Sequence, residues 1–592
     1  MSDNLDLLNV LLVAAIDFGT TFSGYGFAFP HSKDNEKNDD PIYLNKNWGQ
    51  NLGCQSYKAP TTVLFGPDKK FIAFGFEAVE KYATLTENGE DKSYYFFEHF
   101  KMRLHSNHSE IRRDMPLAAS NGKTLPALDV FSKSLKFLSD HLREAVKINT
   151  GTEIEASSIR WVITVPAIWS DAAKHFMREA AYKAGIASLD QRKHLLIALE
   201  PEAASLFCRQ LNVSKFREDT DKPQLLQMDP ENCYMVVDCG GGTVDVTVHK
   251  VRDDGSMREL HRPTGGPWGG TKVDSNFSNL LEQIFGKDLM NEYRRKFPRE
   301  NVQLMADFEM KKRSAADASV QLNYCLVKFL ESTLSQNIAA IVSDSRTEGV
   351  RFSNGLLRLS KEVMYSLFQP VLEQIMAHIQ SLLTNPKLRN IKTIFLVGGF
   401  ADSPLLWKAV VAAVPDRKVR VLVPEEACLA VIKGAVMFGL NPNAIRERVS
   451  ARTYGVRSMT TFIEGLHPPQ KKVVAHGLVL ATDIFNNFVG VDELVELQYR
   501  RSLEFKAVRD DQRSATVYLF STSERDPQFT TDHGMSLCGR VHVDMPDTRG
   551  GRERVIRVTF IFGGTEIDVQ AEDLTSHMRA FATIDFLTKH NP

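Results

Sequence analysis

Two stretches of this sequence decide its fold, Leu11-Leu12-Val13-Ala14-Ala15-Ile16-Asp17-Phe18-Gly19-Thr20-Thr21 and Met235-Val236-Val237-Asp238-Cys239-Gly240-Gly241-Gly242-Thr243. In each, an apolar strand runs into an aspartate and then into glycine and a hydroxyl residue. Glycines let the backbone approach a ligand closely, so such a turn can cradle phosphate with amide donors. Paired aspartates suit Mg²⁺, which prefers carboxylate oxygen and keeps much of its water. One such motif is more often a structural turn, but two in matching context predict a duplicated phosphate-binding architecture.

Two further segments carry a weaker form of this signal. The strand-like run Ile394-Phe395-Leu396-Val397 leads into Gly398-Gly399-Phe400, and Ser403-Pro404 then opens a helix whose N-terminus favours anions. Leu199-Glu200-Pro201 places a carboxylate just before another helix. Taken alone, these glycines and Glu200 are more often turn and cap residues than ligands. Their weight as evidence comes from their order along the chain.

Most of the chain alternates strand-like and helix-like segments, which is typical of an α/β protein. Val162-Ile163-Thr164-Val165 is a predicted buried strand stopped by Pro166, and Ser170 then caps a helix that Gly185 ends. From about residue 450 onward, short alternating segments separated by glycine or aspartate turns predict an appended β domain. The polar, charged segment 441–452 is the predicted connection between the two parts.

The clearest element of the β domain is a predicted hairpin. Ile556, Val558, Phe560 and Phe562 alternate on one face, Gly563-Gly564 makes the turn, and apolar residues alternate again on the returning strand at Ile567, Val569 and Ala571. The pattern predicts two paired strands with one buried face.

Composition excludes several function classes. The 592 residues predict several domains, and 72 basic against 73 acidic residues leave a net charge of −1. No global field therefore draws the chain to nucleic acid or to an anionic membrane, and no apolar run reaches the length of a membrane span. The 7 cysteines are scattered, with no CxxC pair, and the N-terminus lacks the basic start of a signal peptide. We expect reduced thiols and a cytoplasmic location, with the nucleus as the alternative.

Five motifs in sequence order resemble the ATPase domain of the seventy-kilodalton heat-shock proteins. They are Asp17-Phe-Gly-Thr-Thr, Ile163-Thr-Val-Pro-Ala, Glu200-Pro, Asp238-x-Gly-Gly-Gly-Thr-x-Asp245 and Val397-Gly-Gly. More narrowly, Ile16-Asp-Phe-Gly-Thr-Thr-Phe-Ser-Gly-Tyr and Phe97-Glu-His-Phe-Lys-Met-Arg-Leu resemble the divergent branch of heat shock 70 kDa protein 12. The resemblance implies a duplicated actin-like (ribonuclease H-like), two-lobed ATPase domain over residues 1–445. A β-rich, sandwich-like domain without a full helical lid follows over residues 446–592.

The resemblance also implies the site. ATP or ADP would bind with Mg²⁺, which Asp17, Glu200 and Asp238 would hold mainly through water. Thr243 would lie near the transferred phosphate, and Lys101 would be the catalytic cation, with Arg103 as the alternative; either could offset charge on the γ-phosphoryl group. The remaining predicted nucleotide contacts are Gly19, Thr20, Thr21, Phe22, Gly240, Gly241, Gly242, Asp245, Glu309, Lys312, Arg313, Gly398, Gly399 and Phe400.

The sequence also departs from the family pattern. Phe400 and Asp402 stand where the family has a small residue and an arginine against the adenine, which predicts altered adenine binding. Glu202 follows the Glu200-Pro201 pair, and we expect its charge close to the phosphates. The linker over residues 441–449 is polar and basic rather than acidic and leucine-rich, which predicts altered coupling between domains.

Three functions remain open on this evidence. The leading prediction is an ATP-binding, chaperone-like protein of the heat-shock type, with slow Mg-dependent hydrolysis coupled to protein binding. Its partners would be protein clients or adaptors, held by the β domain, with cochaperones as a further class. The alternative is a nucleotide-gated scaffold that does not hydrolyse ATP, and a less favoured one is a small-molecule kinase of the same superfold. Nucleic acid and a membrane span are not expected.

Overall fold

The computed structural model describes residues 10–30, 42–50, 55–106, 111–218, 230–314, 316–414, 419–475, 478–507, 509–574, 578–580 and 582–587. These residues form a mixed α/β structure, as the sequence predicts, followed by a region of strands. Within the described residues, no helix combines the length and the apolar character that crossing a membrane requires.

The first α/β unit is built on a mixed sheet. Its strands, in order across the sheet, are Leu195–Leu199, Ile159–Val165, Leu12–Phe18, Phe22–Ala28 and Tyr43–Leu44, with Ala59–Pro60 also paired to Phe22–Ala28. The first three run parallel, and every residue of Leu12–Phe18 is buried. Because this strand is apolar up to Ile16 and central in the sheet, it carries Asp17 to the sheet's carboxyl edge.

Helices and smaller strands complete this unit. The helices are Phe76–Glu87, Arg103–Ser106, Ala127–Thr150, Asp171–Ala184 and Glu200–Cys208. The smaller strands are Thr62–Phe65, Phe71–Phe74, Tyr95–Glu98, Pro116–Ala118 and Thr124–Pro126. The predicted cap is confirmed, since Ser170 Oγ accepts the Ala173 N–H at 3.3 Å, and Gly185 ends the helix with a φ of 77°.

The second α/β unit repeats this plan on a larger sheet. Its strands, in order, are Phe216–Arg217, Arg420–Pro424, Ile391–Val397, Cys233–Cys239, Val244–Val251, Met257–Gly266, Ile445–Val449 and Leu494–Glu496. Its helices are Thr271–Phe285, Lys287–Lys296, Pro298–Lys311, Tyr324–Leu334, Ile338–Asp344, Lys361–Leu383 and Pro404–Ala413, beside a sheet of Ala318–Gln321, Leu356–Leu359 and Val350–Ser353. The helix that follows, Ala430–Leu440, packs on the first unit's strands Leu12–Phe18 and Ile159–Val165.

One helix pair joins the two units below the site. Helix Ala430–Leu440 packs against helix Glu200–Cys208, and Gly434 lies so close to the Ala203 carbonyl that a Cβ there would overlap it. Glycine is required at this crossing because the two backbones touch.

The C-terminal β part consists of two antiparallel sheets around one apolar core. The larger contains Lys472–Ala475, Leu478–Val489, Thr453–Thr461, Ser514–Thr522, Ser536–Asp544 and Ala582–Asp585, and the smaller contains Tyr499–Lys506, Val555–Phe562, Asp568–Asp573 and Met578–Ala580. The predicted hairpin is confirmed: Val558 pairs with Ala571 and Phe560 with Val569, all four buried.

The segment between the parts is a strand rather than an open loop. Ile445–Val449 pairs in parallel with Met257–Gly266 and antiparallel with Leu494–Glu496, which comes from the C-terminal part. The expected domain boundary at residues 445 and 446 therefore falls at the start of a strand that both parts share.

Candidate functional site

A cavity of about 340 Å³ lies between the two α/β units, and the quoted motifs line it. The predicted site residues in its wall are Asp17, Gly19, Thr20, Thr21, Phe22, Lys101, Glu200, Asp238, Gly240, Gly241, Gly242, Thr243, Glu309, Lys312, Arg313, Gly398, Gly399 and Phe400. We call this cavity the cleft. The fold thus gathers segments that are hundreds of residues apart in sequence around one space.

The two glycine loops face each other across the cleft floor. A Cβ on Gly241 would lie 2.5 Å from Thr21 Oγ1, and one on Gly242 would lie 2.6 Å from Thr20 Oγ1. No side chain fits between the loops, so glycine is required for this close approach. The Gly240 N–H donates to the Thr243 carbonyl at 2.9 Å, which holds the second loop as a tight turn.

Asp17 is buried and has strong partners on both oxygens. The Lys58 ammonium lies 2.5 Å from its Oδ2, and Thr164 Oγ1 donates to its Oδ1 at 2.8 Å. Burial pushes the pKa of Asp17 upward, but Lys58, Lys101 and the Thr164 hydroxyl together hold that pKa below its usual value. Asp17 is therefore ionised.

Glu200 is paired with Lys101. The Lys101 ammonium lies 2.6 Å from Glu200 Oε1 and 5.3 Å from the centre of the Trp169 ring. The Lys101 side chain is only 2% exposed. Burial raises the pKa of Glu200 to about 7, with the nearby Asp17 and Asp245 charges adding to burial and Lys101 opposing it. Arg103, the alternative to Lys101, lines a different cavity, between the first unit and the C-terminal part.

Asp238 has no such cation. Among the described residues it forms no ion pair, and burial together with the charges of Glu200, Asp245 and Asp17 raises its pKa well above the usual range. Asp245 does not line the cleft. It accepts the Ile168 N–H at 3.0 Å, in the turn that follows Pro166, and so links the second loop to the first unit.

The chemistry of these donors suits Mg²⁺, because three carboxylates converge on one cavity. Two of them, Asp17 and Glu200, are already bound by lysine ammonium groups. A magnesium ion in the cleft would therefore share its carboxylates with two resident cations.

The far end of the cleft holds the predicted adenosine contacts. Lys312 Nζ lies 2.5 Å from Asp274 Oδ1, whereas Arg313 is exposed. Phe400 is buried and stacks on Phe368 with ring centres 6.0 Å apart. A buried aromatic pair thus lies where the family pattern that the sequence resembles has a small residue.

One expectation about the cleft is wrong. Glu202 does not face the phosphate loops: it is 1% exposed, and Arg448 of the linker strand holds it through two bonds, Nε to Oε1 at 2.8 Å and Nη2 to Oε2 at 2.9 Å. Glu202 lies two residues after Glu200, and on a helix such residues point in different directions. The sequence shows that the linker is basic, and one of its arginines, Arg448, is the ion-pair partner of this buried glutamate.

Lys58 is the site residue that sequence reasoning missed. It stands in Gln55-Ser56-Tyr57-Lys58-Ala59, which carries no phosphate-binding pattern. Only the pairing of Ala59–Pro60 with Phe22–Ala28, which is a tertiary feature, brings it beside Asp17.

Comparison with known proteins identifies the family of this chain. A family model described as Hsp70 protein matches residues 115–464. Human heat shock 70 kDa protein 12A is 35% identical over 98% of this chain and 92% of its own length. Human heat shock 70 kDa protein 12B is 36% identical over 98% of this chain and 91% of its own. The Chaperone protein DnaK of Psychrobacter cryohalolentis is 27% identical over 57% of this chain and 46% of its own. The resemblance drawn from the motifs is confirmed: this chain belongs to the Hsp70 protein family.

Proposed function

We propose that this protein binds ATP and ADP in the cleft, hydrolyses ATP slowly, and couples the nucleotide state to protein binding by its C-terminal β part. In this proposal the two α/β units are the lobes of an actin-like ATPase, and the β part is a client-binding sandwich. The observation that carries it is the pair of aspartate and glycine loops that face each other across the cleft.

In this proposal, each cleft residue has a role that follows from its charge. Backbone N–H groups of residues 19–21 and 241–243 would hold the phosphates, while Lys58 and Lys101 would offset their negative charge. Mg²⁺, held by Asp17, Glu200 and Asp238 mainly through water, would neutralise further phosphate charge. Glu200 has a pKa of about 7, so it can accept and return a proton near neutral pH and is our candidate for orienting the attacking water.

The nucleoside end would rest on apolar surface. Phe400 and Phe368 line the cleft as a stacked aromatic pair at that end, and the space beside Gly399 is open. Asp402 lines the same end, and burial raises its pKa. We propose that stacking rather than cation contact dominates adenine binding here.

The β part has an exposed apolar surface suited to protein. Met459, Ile463, Leu466, Val474 and Val479 are exposed large apolar side chains within one region. Val474 pairs with Val479, and the Phe462 N–H donates to the Val479 carbonyl at 3.0 Å. Lys472–Ala475 is the edge strand beside them, so an extended apolar client segment could pair with it. Cochaperones and a cytoplasmic location belong to the same proposal.

Calorimetry with ATP and ADP, with and without Mg²⁺, tests the proposal when phosphate release is followed over hours on the same sample. Asp17→Asn and Asp238→Asn should abolish Mg-dependent turnover, whereas the exposed control Asp253→Asn should not. Unchanged turnover in both cleft variants, or no nucleotide binding by the wild type, would contradict the cleft assignment.

A nucleotide-gated scaffold is the second candidate. The observation that favours it is that Lys58 and Lys101, the two lysines beside the loop carboxylates, are already bound to Asp17 and Glu200, which leaves less free positive charge for a developing transition state. This candidate predicts nucleotide binding without phosphate release in the same experiment.

A further inference from the structure

Lys58 is fixed in place by its neighbours rather than by its own ion pair alone. Its backbone N–H donates to Ser56 Oγ at 3.2 Å, and Ser56 Oγ donates to the Lys58 carbonyl at 2.8 Å. Thr61, three residues on, donates its N–H to the Thr21 carbonyl at 2.8 Å and its Oγ1 to the Gly19 carbonyl at 2.9 Å. The segment that carries Lys58 is thus fastened directly to the first phosphate loop.

Gly24 provides the space through which Lys58 reaches Asp17. Gly24 is the cross-strand partner of Asp17, and a Cβ on it would lie 3.0 Å from Lys58 Cγ and 2.9 Å from the Tyr57 carbonyl. The lysine stem therefore lies over a bare glycine backbone. The Lys58 side chain is 18% exposed, and it lines the cleft wall together with both loop aspartates.

The Asp17 carboxylate holds the Lys58 ammonium in the cleft wall, with Nζ 2.5 Å from Oδ2. An ammonium group has three donors, and Asp17 Oδ2 takes one, so donors remain for phosphate oxygens. A divalent cation that binds Asp17 Oδ2 directly would compete with this ammonium group for the negative charge of the carboxylate.

We propose that Lys58 is a resident cation of the phosphate site, which contacts nucleotide phosphates, competes with divalent metal for Asp17, and so makes nucleotide binding only weakly dependent on magnesium. The inference rests on the proposed function, because it names a phosphate contact in the same cleft. The inference goes beyond the proposed function because it assigns a phosphate-contacting residue and a magnesium dependence of nucleotide binding that the family motifs do not specify.

The first test measures ADP affinity by calorimetry in Mg²⁺ and in EDTA. The wild type should lose less than about tenfold in affinity on metal removal, whereas Lys58→Met should lose roughly 10- to 100-fold more than the wild type does, the worth of a charge-assisted hydrogen bond. Lys70→Met is the matched control, because the Lys70 side chain is 84% exposed, and it should behave as the wild type. Lys58→Arg should restore part of the metal independence.

The second test needs no nucleotide. Mn²⁺ binding to the nucleotide-free protein, followed by electron paramagnetic resonance, should be about tenfold tighter in Lys58→Met than in the wild type, because Asp17 is then free. Equal Mn²⁺ affinity in the two proteins would overturn the competition for Asp17. A wild type that loses more than a hundredfold in ADP affinity in EDTA would overturn the metal independence, even if the variant failed to fold.

These measurements distinguish a failure of the Lys58 inference from a failure of the proposed function. If ADP binds but the Mg²⁺ dependence is the same with and without Lys58, only the present inference is wrong. If ADP binds to none of the proteins, the proposed function is wrong and Lys58 has no phosphate to contact, while the Mn²⁺ titration still decides its competition with metal.

Discussion

The cleft and the interdomain seam both bury charge, but they balance it differently. We define the seam as the contact of the linker strand Ile445–Val449 and the C-terminal β part with the two α/β units. In the seam, Arg448 is paired with Glu202, and Arg178 is paired with Glu566 at 2.5 Å. In the cleft, by contrast, Asp17 and Glu200 have lysine partners and Asp238 has none among the described residues.

This difference separates structural charge from functional charge. A buried ion pair with matched partners holds two elements in one arrangement, whereas a buried carboxylate without a partner destabilises the fold. The paired and the unpaired carboxylates also differ in pKa, because Arg178 outweighs burial and holds the pKa of Glu566 below its usual value, whereas burial leaves that of Asp238 well above it. Glu259, which faces the linker strand and forms no ion pair among the described residues, is the exception in the seam, since burial raises its pKa as well. An unbalanced site of this kind is a functional candidate, since a ligand can supply the missing charge.

Breaking the seam should have the largest effect on stability. Arg448→Met leaves Glu202, which is 1% exposed, without its ion-pair partner. It also removes the hydrogen bond from Arg448 Nη1 to the Gly563 carbonyl at 2.7 Å. We expect a loss of roughly 3–5 kcal/mol in the free energy of unfolding, measured by chemical denaturation.

The control for this variant is Arg446→Met, because Arg446 is an exposed residue of the same strand and should lose little. The double variant Arg448→Met with Glu202→Gln should recover much of the loss, because no charge is then stranded. A single variant as stable as the wild type would show that the pair does not hold the linker.

The two loop aspartates should respond to the same substitution with opposite signs. Asp17→Asn leaves the Lys58 ammonium without a carboxylate partner and should lower the free energy of unfolding by roughly 1–3 kcal/mol. Asp238→Asn removes a repelled, unpartnered carboxylate and should gain about 1 kcal/mol while losing turnover. Thermal unfolding of both variants beside Asp253→Asn measures this, and stability changes of the same sign would break the comparison.

The pair between Arg178 and Glu566 should show a smaller effect with a defined pH dependence. The folded-state pKa of Glu566 is lowered, so its stabilisation is present above the unfolded pKa of about 4.5 and is lost as the pH falls through the folded value. Glu566→Gln should cost roughly 1–2 kcal/mol at pH 7 and progressively less in acid. Denaturation midpoints from pH 7 to pH 3 measure this, and an equal cost at every pH would count against the ion pair.

Glu259 should give the smallest effect and the opposite slope. It accepts the Val449 N–H at 2.7 Å, and burial, helped by the charge of Glu202, raises its pKa well above the usual range. The folded state therefore keeps a proton that the unfolded chain loses above about pH 4.5, so this group's stabilisation falls as pH rises through the folded value. Glu259→Gln keeps the acceptor and should flatten that fall by about 1 kcal/mol between pH 5 and 8. An unchanged slope would indicate that Glu259 is ionised in the seam.

The sequence was informative where chemistry follows from local pattern. Apolar strands ending in Asp17 and Asp238 predict the sheet edges and the cleft, and the alternation at Ile556, Val558 and Phe560 predicts the hairpin, because strand periodicity depends only on neighbouring residues. Sequence reasoning missed Lys58, expected Glu202 beside the phosphates, and gave Arg448 no partner. The contacts of these residues depend on which distant strand lies beside them. Register across a sheet places Lys58, and the linker's strand pairing places Arg448.

The most direct measurement is a crystal structure of the protein grown with ADP in excess. We predict ADP in the cleft, with phosphate oxygens at about 3 Å from the backbone N–H groups of residues 19–21 and 241–243 and from the Lys58 ammonium. ADP bound elsewhere, such as in the larger cavity beside Arg103 and Arg448, or a cleft that stays empty at saturating ADP, would contradict the account.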